Sequence, residues 1–113
     1  MSQEPAPFAE PFVRIGAEEA RRKIEAGEVS VVDVREPHEY AQGHIPGAVL
    51  VPLQRLLAAP RQYLQRDDIL FVCAVGVRSV VACEMAAAIG LTRIFSLEGG
   101  THGWAQRGYP IEA

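Results

Sequence analysis

Ile69-Leu70-Phe71-Val72-Cys73-Ala74-Val75-Gly76-Val77-Arg78-Ser79 is the stretch on which the fold of this chain turns. Its first four residues are an unbroken apolar run, the pattern of a short strand buried on both faces. Cys73 ends that strand, at the mouth of a tight turn closed by Arg78. From Ser79 to Ile89 the sequence is helix-forming and apolar nearly all round except Glu84, which predicts a deeply packed helix with Ser79 as N-cap and Gly90 as stop. A thiol beside an arginine and the positive end of a helix has surroundings that favour the thiolate, the attacking form of cysteine.

Working outward, Val29–Val34 is a second β-branched run with the pattern of a central parallel strand. Phe12–Ile15 fits a short first strand. Ala17–Ala26 is an expected helix, with Glu18/Arg22 and Glu19/Lys23 at stabilising spacing and Gly27 placed to end it. Pro37 suits the first turn of a short helix ending near Gly43, and Ala48–Val51 a short strand. Pro52 to Gln65 reads as helix in two pieces broken at Pro60. Arg93–Leu97 is a last strand, followed by Gly99-Gly100 and a short segment around Trp104. Strands alternating with helices imply a parallel sheet covered on both faces. Ligands of such sheets bind beyond the carboxyl ends of the strands, where strand order reverses. Two strand ends carry polar chemistry, Asp33/Arg35 and Cys73, and these strands are expected to be neighbours at that crevice.

Composition narrows the function classes. The chain of 113 residues suits one domain with its own core, and 49% hydrophobic residues describe an ordinary soluble globule. A net charge of −3 with interspersed signs offers no basic face for nucleic acid or anionic lipid. No run approaches the ~18 apolar residues of a membrane span. The opening Met-Ser-Gln-Glu-Pro-Ala-Pro lacks a cationic segment followed by an apolar one, so a cytoplasmic protein is expected. Cys73 and Cys83 are too few for a disulfide scaffold, match no zinc spacing, and are expected to be reduced. Abundant Ala and Arg, with Lys23 the only lysine, point to a G+C-rich bacterial genome. Residues 1–11, with Pro5, Pro7 and Pro11, read as a flexible tail in which Phe8 is either a docking residue or part of a frayed end.

The chain resembles the single-domain rhodanese (thiosulfate sulfurtransferase-like) family over residues 12–111. Asp33-Val34-Arg35-Glu36-Pro37-His38-Glu39-Tyr40 with Gly43-His44-Ile45-Pro46-Gly47-Ala48 is similar to the family's N-terminal signature, and Cys73 to Arg78 to its active-site loop. Leu97-Glu98-Gly99-Gly100, Trp104 and Gly108-Tyr109-Pro110 are similar to its C-terminal signature. The resemblance implies an α/β fold: a three-layer α/β/α sandwich around a five-stranded parallel sheet, formed by residues 12–113. It implies a sulfurtransferase that moves sulfane sulfur from thiosulfate or a persulfide to a thiol or cyanide through a Cys73 persulfide, with no metal or organic cofactor. It further implies that Asp33 and Arg35 lie at the rim of the site, Asp33 making structural hydrogen bonds and Arg35 pairing with an acid such as Glu39.

Ala74, Val75, Gly76, Val77 and Arg78 are the candidate substrate-binding residues. Their successive N–H groups can form an anion-binding nest to which the helix dipole adds, and Gly76 gives the turn its freedom in φ. Arg78 either points inward to an anionic substrate or outward into a salt bridge, with the inward role weighted slightly higher. Asp33 and Arg35 either tune the site or only fix the loop after their strand. Cys83 belongs to the core; on a helix it stands about 6 Å along the axis from the cap, so a disulfide to Cys73 would need rearrangement. His44 suits a structural hydrogen bond, His102 borders the pocket, and Trp104 plugs the core. His38-Glu39…His44 falls short of a zinc helix because position 42 is Gln42.

Ala74, Val75 and Val77 give the loop an apolar lining, in contrast to the cationic or hydroxyl side chains of many thiosulfate-using relatives of the family. Weak thiosulfate use and better use of glutathione persulfide or a partner's persulfide are therefore expected. Phosphatase or arsenate reductase chemistry, the runner-up on this fold, is disfavoured because its loops place five residues between Cys and Arg, whereas Ala74 to Val77 are four. A binding module that has lost its chemistry is disfavoured by Cys73 with Arg78; a sulfur relay between proteins stays open. The chain is expected to be a monomer.

Overall fold

A computed structural model describes residues 9–113. The elements in chain order are β1 (Val13–Ile15), α1 (Ala17–Glu25), β2 (Ser30–Asp33), α2 (Pro37–Gln42), β3 (Val49–Leu50), α3 (Leu53–Ala58), α4 (Pro60–Tyr63), β4 (Ile69–Val72), α5 (Arg78–Ala88), β5 (Ile94–Leu97) and α6 (Gly100–Gln106). The five strands form one parallel sheet in the order β1-β5-β4-β2-β3. Every sequence-expected element is present, with ends displaced by a residue or two. Of the expected tail, residues 1–8, and with them the question of Phe8, lie outside the described residues. Residues 9–11 are exposed, and Glu10 pairs with Arg14.

β4 occupies the centre because its side chains can be buried on both faces. Ile69 and Phe71 pack on one side with Leu56, Ala82, Cys83 and Ile94, beneath α3 and α5. Leu70 and Val72 pack on the other with Ala20, Ile45, Leu97 and Trp104, beneath α1 and α6. All four are 5% exposed or less, so this strand contributes apolar burial to both cores at once.

The chain order of the strands brings the polar strand ends together. From β4 the chain crosses to β5 on one side, while β2 flanks it on the other. The carboxyl end of β4 is thus a point where strand order reverses, and polar groups gather there. Pairing of Asp33 with Val72 sets the ends of β2 and β4 side by side, and Val34 N–H donates to Val72 O at 2.9 Å. The two chemistry-bearing strand ends are neighbours.

Candidate active site

Cys73 continues the alternation of β4 and turns its side chain to the α5 face, where it is 1% exposed. The following turn wraps around its sulfur. Gly76 N–H donates to Sγ at 3.1 Å, and Ser79 N–H, one of the free donors at the start of α5, does so at 3.3 Å. Gly76 adopts φ +100°, a conformation that favours glycine, while the space beside it would admit a Cβ at 3.4 Å from Leu97 O.

The turn is held from outside by α6. Thr101 N–H donates to Cys73 O at 2.8 Å and His102 N–H to Ala74 O at 3.1 Å, with Thr101 Oγ1 a further donor to Cys73 O at 3.3 Å. Because each peptide is planar and trans, fixing these carbonyls toward α6 turns the N–H groups of Ala74 and Val75 away from it. The close approach is possible because residue 100 is glycine: a Cβ there would sit 2.4 Å from both Cys73 O and Ala74 O. In the sequence Gly99-Gly100 stands only as part of a signature; this contact is the physical reason for the second glycine.

Arg78 takes the salt-bridge alternative instead of the inward orientation. Its guanidinium grips Glu39 in two bonds, Nη1 to Oε1 at 2.7 Å and Nη2 to Oε2 at 2.9 Å. Bonding by Arg78, with help from the Glu36 N–H, holds the Glu39 carboxyl down at about 2 against its burial. The same pairing raises Arg78, and the Cys73 sulfur and Asp33 add to that field. Glu39 was expected to serve Arg35. Arg35 is already taken: its guanidinium binds Asp33 at 2.8–3.1 Å and donates to Gly43 O at 2.8 Å.

That pair has a defined job in the fold. Asp33 is fully buried, and its Oδ1 also accepts the Arg35 N–H at 3.0 Å. Asp33 shares the face of Val72, opposite the face of the Cys73 side chain. Through Gly43 the pair fixes the end of α2, and α2 presents Glu39 to Arg78. Asp33 and Arg35 therefore reach the loop through two intermediaries.

Ser79 departs from its expected place. α5 starts one residue earlier, with Val77 at the cap position and no side-chain cap. The Ser79 hydroxyl is fully buried and lies 3.6 Å from Cys73 Sγ and 2.8 Å from Ser96 Oγ. Val75 and Val77 are 56% and 69% exposed and form the rim of the turn. Cys83 lies in the core, its Sγ 3.5 Å from Phe95 O, and burial pushes its thiol up to about 12. His44 is structural, stacked on Tyr40 at 3.7 Å with Nδ1 3.0 Å from Tyr40 O. Trp104 is 3% exposed and its Nε1–H donates to Pro110 O at 2.7 Å. His102 is exposed and meets the turn through its backbone.

Residues 16–107 match the family model described as the Rhodanese-like domain. The chain belongs to the rhodanese-like family. Among curated relatives of this rhodanese-like chain is a protein from Allochromatium vinosum named sulfurtransferase, 34% identical over 94 residues, 83% of this chain and 88% of that one. A rhodanese-related protein from Thermoplasma volcanium is 34% identical with a TM-score of 0.79, covering 88% of this chain and 97% of that one. Thiosulfate sulfurtransferase from Pseudomonas aeruginosa is 27% identical with a TM-score of 0.77; the match spans 89% of this rhodanese-like chain and 20% of that larger protein.

Proposed function

We propose that this protein is a sulfurtransferase in which Cys73 carries sulfane sulfur as a persulfide. The observation that carries this reading is the sulfur at the base of the Cys73–Arg78 turn, with two backbone N–H groups aimed at it. Those donors and the α5 dipole favour negative charge on that atom, as a nucleophile at sulfur requires. The Allochromatium relative named sulfurtransferase supports the same class.

Two displacements make up the cycle. The Cys73 thiolate attacks the outer sulfur of thiosulfate, the S–S bond breaks, and sulfite leaves with the bonding pair; a persulfide donor releases a thiolate in the same way. The negative charge then sits on the outer sulfur of Cys73–S–S⁻. Cyanide or a thiolate attacks that sulfur and returns Cys73 to its thiolate, giving thiocyanate or a new persulfide. No metal or cofactor is needed. Backbone N–H groups of residues 74–78 are assigned to hold the charge before and after transfer.

With Arg78 neutralised by Glu39 and a valine rim, the turn offers little to a dianion, so the assigned donor is a less charged persulfide such as glutathione persulfide. Delivery to a partner protein's thiol would make the same chemistry a relay. A monomer working in the reducing cytoplasm of a bacterium fits a thiol of this kind. The test is intact mass after incubation with each donor. A one-sulfur adduct, removed by cyanide and missing in Cys73→Ser, is expected; an unmodified wild-type protein with every donor would overturn the proposal.

A further inference from the structure

Beneath Cys73 the interior holds two hydroxyls that the displacement steps do not use. Ser79 and Ser96 are 0% and 1% exposed, on α5 and β5, and their Oγ atoms are 2.8 Å apart. Ser79 Oγ also faces Cys73 Sγ at 3.6 Å, within hydrogen-bond range for sulfur. Cys83 Sγ, in the same core, lies 3.5 Å from the carbonyl oxygen of Phe95, the residue before Ser96. The line runs from the candidate nucleophile into the core between apolar neighbours, where an unpaired hydroxyl is costly.

A hydroxyl has one proton to give and two lone pairs to offer. Ser79 stands between a partner whose charge changes, Cys73, and one whose charge does not, Ser96. Either serine can be the donor in the bond between them. We propose that Ser79 and Ser96 form a reversible pair that follows the charge on Cys73. With a thiolate, Ser79 O–H donates to Sγ and Ser96 O–H donates to Ser79 Oγ. With a thiol, S–H donates to Ser79 Oγ and Ser79 O–H turns to Ser96 Oγ. With a persulfide, the charge has moved to the outer sulfur, the inner sulfur is a poor acceptor, and Ser79 again turns to Ser96. Within the serine pair no covalent bond changes and both O–H groups rotate; the bonds made or broken are those on the Cys73 sulfur. Ser79 touches the reacting atom, and Ser96 is a positioning residue that acts through it.

Only the persulfide state rests on the function proposed above. The thiol and thiolate states stand on geometry. Charged and titratable groups around the pair are Arg78 with Glu39, the Asp33–Arg35 pair at the end of β2, and Cys83 on α5. His102 on α6 and Arg55 on α3 are exposed, and β5 carries no charged side chain.

The test is the pH dependence of Cys73 alkylation by iodoacetamide in the full chain, with the modified site located by peptide mass. Ser79→Ala removes the donor to the thiolate and is expected to raise the midpoint by about one pH unit, an approximately tenfold slower reaction below it. Ser96→Ala removes one bond from each state, but the thiolate keeps its charge-assisted bond from Ser79 whereas the thiol state leaves the buried Ser79 proton without a good acceptor, so the midpoint moves down. In a Ser79→Ala background, Ser96→Ala changes nothing further. An unmoved midpoint in Ser79→Ala, shifts of the same sign in both variants, or a Ser96 effect that survives without Ser79 would each overturn the pair. Should Ser79→Ala not fold, Ser96→Ala decides alone, and any shift but a downward one defeats the proposal. Wild type that alkylates as expected but never accepts sulfur defeats the proposed function and leaves the pair standing.

Discussion

Arg78 and Glu39 meet across 39 positions of sequence in a two-point ion pair, at 2.7 and 2.9 Å. The pair ties the start of α5, and with it the turn around Cys73, to α2. It also decides the charge of the site. The one cationic side chain of the turn is matched by a carboxylate that stays ionised down to about pH 2. The positive potential left at the sulfur comes from the backbone and from the end of α5.

Replacing Glu39 with Gln leaves Arg78 with an uncompensated charge beside the turn. A compact dianion such as thiosulfate gains more from that charge than a donor with a single charge at its reacting sulfur. Glu39→Gln is expected to raise kcat/KM for thiosulfate by about threefold to tenfold relative to glutathione persulfide. Steady-state assays with both donors check this. A wild-type enzyme that already prefers thiosulfate would defeat the donor assignment.

The same carboxylate adds to stability in a defined pH window. Its folded value is near 2 against an ordinary 4.5, so its contribution is complete above about pH 4.5 and fades as pH falls toward 2. Both partners are partly exposed, 33% and 23% at the side chains, which limits the pair to about 1 kcal/mol at neutral pH. Urea midpoints of wild type and Glu39→Gln should differ by a constant amount from pH 8 to 5 and converge below pH 4. A gap that widens in acid would contradict the pairing.

Much of this molecule could be read from the chain because strong periodic signals coincide with its central elements. Ile69–Val72 is apolar on four successive residues, and Val31, Val32 and Val34 flank a buried Asp33, a pattern that only a strand covered on both faces uses well. Gly27 and Gly90 stop α1 and α5 at the expected places, each with positive φ. Side-chain partner choice was not legible. Arg35 and Arg78 both compete for nearby acids, and the outcome follows from Asp33 facing inward next to Arg35 while α2 swings Glu39 toward α5. Ser79 looked like a cap because the turn ends beside it, but a helix starting at Arg78 places its hydroxyl inside. Ser96 left only a faint mark in the sequence: a lone polar residue within the apolar strand Ile94–Leu97.

Cys83 gives the protein an alkaline weakness distinct from the candidate site. Burial raises its thiol to about 12 from an ordinary 9.0, so its contribution is whole below pH 9 and is lost as pH rises toward 12. Cys83→Ala removes a buried sulfur and is expected to cost about 1 kcal/mol at pH 8 through the cavity left behind. It should also flatten the alkaline decline, so that the variant catches up by about 1 kcal/mol near pH 10. Chemical denaturation at pH 8 and pH 10 checks both numbers. Parallel losses in the two proteins would show that other groups govern the decline.

Gly100 and Gly103, three residues apart on α6, are expected to respond to alanine with opposite signs. At Gly100 the backbone has φ +58° and a Cβ would lie 2.4 Å from the Cys73 and Ala74 carbonyl oxygens. Gly100→Ala must therefore push the turn away from α6, breaking the bonds from Thr101 and His102 that aim its peptides. A loss of about 3 kcal/mol is expected, together with slower alkylation of Cys73 even at pH values where the variant stays folded. At Gly103 nothing stands within 4 Å of an added Cβ and φ is not positive. Gly103→Ala only narrows the unfolded ensemble and favours the helix, a gain of about 0.5–1 kcal/mol with Cys73 reactivity unchanged. Urea midpoints and alkylation rates of the two variants, measured side by side, check the contrast. If Gly100→Ala were as stable and as reactive as Gly103→Ala, the contact between α6 and the turn could not be what orients the groups around the sulfur.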